Sequence, residues 1–259
     1  MTSEEILYEV KEGIAWLVFN RPEARNAMTF SMYDRLGELC RQINTDDSVK
    51  VLILRGAGDK AFVSGTDISQ FRNFSTAAHA TGYEKKMDVV FDALEDVRIP
   101  TIAAIQGACT GGGAGIAAAC DLRIGAPSAR FGFPIARTLG NTLSTRNLSR
   151  LAGLIGVART KDILMLARLI DAEEMKAINL LSEVTNEENL YERAEAMARK
   201  LMEHAPITLR TTKQVLNAVL RGWAPESSSE HVVEAYTSSD FKEGIEAFLG
   251  KRKPNWRNK

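Results

Sequence analysis

The residues of this chain best placed to do chemistry sit in two glycine-rich stretches. Residues 107–121 read GACTGGGAGIAAACD, and residues 56–71 read GAGDKAFVSGTDISQF. Each glycine in a helix costs about 1 kcal/mol relative to alanine, so a run of them implies that something approaches the backbone closely. Gly113-Ala114-Gly115-Ile116-Ala117-Ala118 matches the spacing of a dinucleotide-binding turn. That turn needs an acid about 20 residues later to hold a ribose, and residues 128–138 contain none. No Gly-Lys-Ser/Thr follows either, which excludes a phosphate-cradling loop. Cys109 and Thr110 lack a partner base, because His79 lies in a polar segment and His204 and His231 in a helical tail. Two readings of the glycines then stand level. One is close helix–strand packing. The other is an oxyanion site, in which free N–H groups at the start of a helix face a ligand oxygen.

The elements that must position these stretches can be traced from hydrophobic pattern. Residues 6–20 read as a hairpin around Glu12-Gly13, and residues 31–44 as an amphipathic helix with Ser31 as a possible N-cap. Residues 49–56 and 101–107 are continuous apolar strands, each leading directly into one glycine-rich stretch, the first of which reads as a loop. A polar helix over about 82–97 separates them, and short strands follow at 121–126 and 128–133. The order implies an α/β fold with buried strands. From residue 144 helical pattern dominates, over 144–152, 157–168, 172–178, 187–204, 206–221, 228–237 and 240–249. We expect a core over 1–199 and a helical C-terminal oligomerisation module over 200–259. The apolar positions Val215, Val219, Val232, Val233 and Phe248 exceed what so small a module can bury alone.

Composition narrows the class. Lysine plus arginine equals aspartate plus glutamate at 33 each, which gives no support to nucleic-acid binding. No apolar run approaches a membrane span, and the acidic N-terminal stretch is unlike a signal or transit peptide. Three cysteines (Cys40, Cys109, Cys120) in apolar segments, without metal spacing, suit reduced thiols in a cytoplasmic protein.

Taken together, GAGDKAFVSGTDISQF and IPTIAAIQGACTGGGAGIAAACDLRIGA closely resemble the crotonase, or enoyl-CoA hydratase/isomerase, family. RPEARNAM (21–28) and SSDFKEGIEAFLGKRKPNW (238–256) resemble its first-helix loop and its C-terminal signature, so the likeness spans nearly the whole chain in order. The resemblance implies a spiral of ββα units with a helical C-terminal module, assembled as a trimer or hexamer. It also implies a lyase or isomerase of fatty acid metabolism acting on acyl-CoA. Coenzyme A would enter as part of the substrate, with no permanently bound cofactor and no metal. The family's two oxyanion donors map to the backbone N–H groups of Thr66 and Gly112, each typically worth about 3–4 kcal/mol in the transition state. Ala24, Arg25 and Asn26 match the loop that meets the adenine end. Ser64, Asp67 and Ile68 of the S-G-T-D-I run fall on the coenzyme side, and Asp67 suits the cap of Ile68-Ser69-Gln70 better than the role of a catalytic acid. Phe248 and Lys251 match tail residues near the nucleotide.

The sequence departs from the family's hydratases at both catalytic glutamates. Their positions carry Gly115 and Ile135, and residues 135–140 recover no acid. Asn141 lies near the position where some family dehalogenases carry an aspartate, but an amide is a poor base. Arg137 could bind a carboxylate on an unusual acyl group. Three functions follow: an acyl-CoA enzyme working through an oxyanion-stabilised enolate without the usual acids, an acyl-CoA-binding protein with vestigial catalysis, or a hydrolase of the same fold on a substrate lacking CoA.

Overall fold

The structure, a computed structural model, describes residues 4–222 and 229–256, and of residues 229–232 the backbone only. Its strands are β1 (Ile6–Lys11), β2 (Ile14–Phe19), β3 (Val51–Gly56), β4 (Ala61–Val63), β5 (Thr101–Ile105), β6 (Ala108–Thr110), β7 (Leu122–Gly125), β8 (Arg130–Gly132), β9 (Ile170–Asp171) and β10 (Glu183–Val184). Its helices are α1 (Phe30–Ile43), α2 (Ala77–Glu95), α3 (Gly112–Ala119), α4 (Ile135–Thr138), α5 (Thr145–Met165), α6 (Ala172–Ala177), α7 (Leu190–Met202), α8 (Pro206–Gly222), α9 (Ser229–Thr237) and α10 (Ser239–Leu249). One sheet runs β1-β2-β3-β5-β7-β10 and a second runs β4-β6-β8-β9. The chain alternates between them: β3, β5 and β7 pair in parallel in the first sheet, while β4, β6 and β8 pair in parallel in the second. A helix follows each such pair of strands, so the chain winds as a spiral of ββα turns.

Strand alternation explains why β3 is apolar throughout. Leu52 and Leu54 face the main core with α1, α2 and α3, whereas Val51 and Ile53 face a second core closed by Leu190, Ala194 and Ala198 of α7. Three short strand segments differ from expectation. The apparent loop after residue 56 contains β4, and β9 and β10 are pairs of two residues without hydrophobic run. Thr29, not Ser31, caps α1, accepting from the Met32 N–H at 3.3 Å. The helix expected from 82 begins at Ala77, where Thr76 caps it, and the helices expected at 144–152 and 157–168 are one α5 broken at Gly156, whose φ is 77°.

The C-terminal helices fold back over their own chain. Lys213 of α8 is buried against Asp121 at 2.8 Å, and Tyr236, Phe241 and Ile245 of α9 and α10 pack with Phe71, Ala80 and Leu139 as a third core. Asp121 also accepts from the Thr101 N–H at 2.8 Å, so it serves as a structural acid between two strand starts. Among the apolar positions expected to seek a partner, Val215, Val219 and Phe248 are exposed and Val233 is half-buried. The side chain of Val232, like that of His231, lies outside the described residues.

Candidate active site

The two glycine-rich stretches meet. Met28 forms a parallel bridge with Thr66, in which the Met28 N–H donates to Gly65 and the Asp67 N–H donates to Met28. That pairing uses the peptide groups either side of Thr66 and turns its own N–H the other way. Gly112 opens α3 after Gly111, which takes a φ of 52°. An N–H at a helix start has no acceptor within the helix. Among the described residues neither the Thr66 nor the Gly112 N–H donates to another protein group. Both line one cleft of about 920 Å³.

That cleft collects nearly every residue singled out by sequence. Ala24, Arg25, Ser64, Asp67, Ile68, Phe248 and Lys251 line it, as do Ile135 and Asn141. Asn26 does not. It is fully buried behind the wall, where its Nδ2 donates to the Ala57 and Ala61 carbonyls at 3.0 and 2.8 Å and its Oδ1 accepts from the Arg21 N–H. Asp67 caps the turn of residues 68–71 through the Ser69 N–H at 3.1 Å and pairs with Arg21 at 3.2 Å. Burial pushes its carboxyl up, but Ser69 and Arg21 outweigh this and hold it below the usual range. Arg137 is exposed and outside the cleft lining, so it is not placed to bind an acyl carboxylate. Cys109 is fully buried, and burial pushes its thiol far up, away from nucleophilic chemistry.

The glycines answer to packing as well as to a ligand. A Cβ on Gly112 would stand 2.0 Å from the Tyr33 hydroxyl, and one on Gly113 would stand 2.1 Å from the Val63 carbonyl oxygen. A side chain at 112 would therefore strike Tyr33 before it met any ligand. Gly115 faces the Phe91 ring, 2.6 Å from where a Cβ would be. Phe91 fills the space and lines the cleft in its place, so a carboxylate at 115 would have no room.

The polar groups of the cleft were not visible as motifs. Thr66 Oγ1 lies 2.8 Å from both the Tyr33 and the Tyr83 hydroxyls, so its side chain ties α1 to α2 across the site. Asn141 Nδ2 donates to the Tyr236 hydroxyl at 2.9 Å, and Tyr236 donates to Glu84 Oε1 at 2.5 Å. Glu84 Oε2 accepts from the Ser144 N–H at 2.8 Å. Burial raises the Glu84 carboxyl to about 7, opposed by the Tyr236 and Ser144 hydrogen bonds and assisted by the charge of Asp88. One signal could have found it. Ala80, Glu84, Met87, Phe91 and Leu94 follow 4-3-4-3 spacing, so Glu84 is an acid on the apolar stripe of α2. Among the described residues no three histidine, cysteine, aspartate or glutamate side chains gather as a metal would need.

Comparison with known proteins agrees with this architecture. Residues 9–259 match the family model for enoyl-CoA hydratase/isomerase. The chain is 34% identical over 265 residues to a crotonyl-CoA hydratase of Syntrophomonas wolfei, covering 100% of both chains. It is 32% identical over 256 residues to a short-chain-enoyl-CoA hydratase of Clostridium acetobutylicum, covering 98% of this chain and 97% of the relative. A crystal structure of an enoyl-CoA hydratase/carnithine racemase from Magnetospirillum magneticum superposes with a TM-score of 0.80 at 33% identity, covering 100% of this chain and 97% of that one. The chain belongs to the enoyl-CoA hydratase/isomerase family.

Proposed function

We propose that this member of the enoyl-CoA hydratase/isomerase family binds acyl-CoA thioesters and stabilises their enolate between the Thr66 and Gly112 N–H groups. The observation that carries the reading is that Thr66 and Gly112, whose N–H groups meet no acceptor among the described residues, line one cleft from adjoining segments. An enolate gathers charge on the thioester oxygen, and two preorganised donors lower the barrier to forming it. The CoA portion lies at the cleft mouth along Ala24, Arg25, Ser64, Ile68, Phe248 and Lys251, with the lysine meeting a phosphate. The acyl end reaches the Ile135 and Asn141 wall. Exposed Ile207, Val215, Leu216 and Val219 on α8 form the contact of a trimer or hexamer, which light scattering would resolve. The buried thiols suit a reducing compartment, the cytoplasm.

The relatives named above are hydratases, but this chain has no carboxylate at 115 or 135. Each lost acid or base is worth about 10²–10⁴-fold, so crotonyl-CoA hydration is expected to be slow or absent. A turnover number in the usual range of about 1–10³ s⁻¹ would refute this. The reading as a whole is tested by calorimetric titration of CoA and acyl-CoAs together with Raman difference spectroscopy of the bound thioester. The carbonyl stretch is expected to move to lower frequency. A bound thioester with an unshifted carbonyl would remove the oxyanion assignment, and absence of acyl-CoA binding would favour a substrate lacking CoA.

A further inference from the structure

We propose that the Glu84 carboxylate takes the α-proton of the bound acyl thioester and returns it, a role that rests on the acyl-thioester reading above. Three acids line the cleft: Glu23, Asp67 and Glu84. Glu23 is exposed at the mouth, and Asp67 is committed to Arg21 and Ser69. Glu84 alone of the three is buried, and among the described residues no lysine or arginine pairs with it. It adjoins the oxyanion end, because its charge acts on the Tyr33 and Tyr83 hydroxyls, each 2.8 Å from Thr66 Oγ1.

Its geometry leaves it able to react. Each oxygen accepts one hydrogen bond, Oε1 from Tyr236 and Oε2 from Ser144, and a carboxylate has about four acceptor positions. One lone pair on each oxygen is free to take a proton. In the step, the α C–H bond breaks and its electron pair moves into the thioester to give the enolate oxygen, held by Thr66 and Gly112. The proton goes to Glu84. Return of that proton, to the same carbon or to another in conjugation, regenerates the carboxylate with no other reagent.

The groups facing Glu84 come from four elements: Tyr33 on α1, Tyr83 and Asp88 on its own helix, Ser144 at the start of α5, and Tyr236 on α9. The phenols are neutral at ordinary pH, since burial raises all three. Burial likewise brings the Glu84 carboxyl to about 7, near the optimum for a base working at neutral pH.

The test is exchange of the α-hydrogens of acetyl-, butyryl- and phenylacetyl-CoA for deuterium, followed by NMR in D₂O. The wild-type protein is expected to exchange at least one of them, with a rate that falls below about pH 7. Glu84→Gln should lose about 10²–10⁴-fold of that rate and the pH limb, with acyl-CoA affinity unchanged. Tyr236→Phe removes a bond to the charged form, so its limb should move to higher pH. Wild-type-like exchange by Glu84→Gln, or an unmoved limb in Tyr236→Phe, would overturn the assignment while leaving the oxyanion reading intact. A wild-type protein that binds acyl-CoA but exchanges none of the three would also overturn it. Failure to bind any acyl-CoA would remove the underlying reading instead. If Glu84→Gln does not fold, the Tyr236→Phe limb decides.

Discussion

Glu84 and Glu95 lie on the same helix, about 16 Å apart along its axis, and each is 5% exposed. Their carboxyls are nevertheless driven in opposite directions. Both pay the cost of burial, but Glu95 meets Arg150 at 2.9 Å, with Arg146 and Arg221 beside it, and is held below the usual range. Glu84 meets a phenol and a backbone N–H, and nearby Asp88 adds like charge. Burial alone therefore does not define what a carboxylate does. A buried acid with cations around it is structure, whereas one held only by neutral donors keeps a proton available near neutral pH.

The largest effect that could break this contrast is on stability. Among the described residues, Glu95→Ala leaves Arg150, itself 2% exposed, with Asp92 and Asn147 as its hydrogen-bond partners. Removing one member of such a buried pair typically costs about 3–5 kcal/mol. Glu84→Gln removes no ion pair and should not lower the denaturation midpoint at neutral pH. Urea unfolding of both variants checks this. Equal losses in the two would mean that Glu84 is also a structural acid.

The pH dependence of stability sharpens the contrast, because the two signs differ. A carboxyl raised in the folded state favours folding below its unfolded value and loses that advantage as pH climbs through the folded one. For Glu84 this window runs from about 4.5 to about 7, and the penalty above it is roughly 3 kcal/mol. Glu95 is lowered, so its contribution is present above about 4.5 and is lost as pH falls through its folded value. Unfolding free energies from pH 4 to 8 should show Glu84→Gln gaining on the wild type as pH rises. Glu95→Gln should lose ground only at the acid end, as pH rises to about 4.5, and run parallel to the wild type above it. A Glu84→Gln curve parallel to the wild type between about 4.5 and about 7 would dissolve the distinction.

How much of this was readable in sequence follows from which interactions are local. The buried strands β3 and β5 showed as unbroken apolar runs, and the Thr66 and Gly112 segments showed as motifs that the fold does bring together. β4 was hidden because three apolar residues between Asp59-Lys60 and Ser64-Gly65 carry no period. The start of α2 was hidden because Ala77–Gly82 is small and polar, with only Ala80 buried. Glu84 was missed for a different reason. Its partners Tyr236 and Ser144 are 152 and 60 residues away, and only the folded chain shows that an acid on the apolar stripe faces a cleft. The glycine run was read as either close packing or a ligand contact, and sequence could not say which neighbours pack there: Tyr33, Val63 and Phe91, all distant in sequence, claim the space beside it.

The smallest expected effect belongs to Asp88, which lies between the two glutamates and shares features of both. Its Oδ1 accepts from Ser144 Oγ at 2.6 Å and from Asn147 Nδ2 at 3.2 Å, so it faces neutral donors as Glu84 does. Burial raises its carboxyl, and Asp92 adds to this while Arg150 and Arg146 pull it down. Asp88→Asn keeps an oxygen for both donors and removes one negative charge near Glu84. Since Asp88 is the last and weakest influence raising Glu84, the change should ease Glu84 ionisation slightly. The low-pH limb of α-hydrogen exchange should then move down by a few tenths of a pH unit, on the order of 0.5 kcal/mol at an effective dielectric near 20 with partial screening. The rate on the plateau should not change, because Asp88 is not among the residues lining the cleft. A drop on the plateau would make Asp88 part of the proton path. A limb that moves upward would mean that the group being titrated is not an acid beside Asp88, and the contrast between the two ends of α2 would have to be drawn elsewhere.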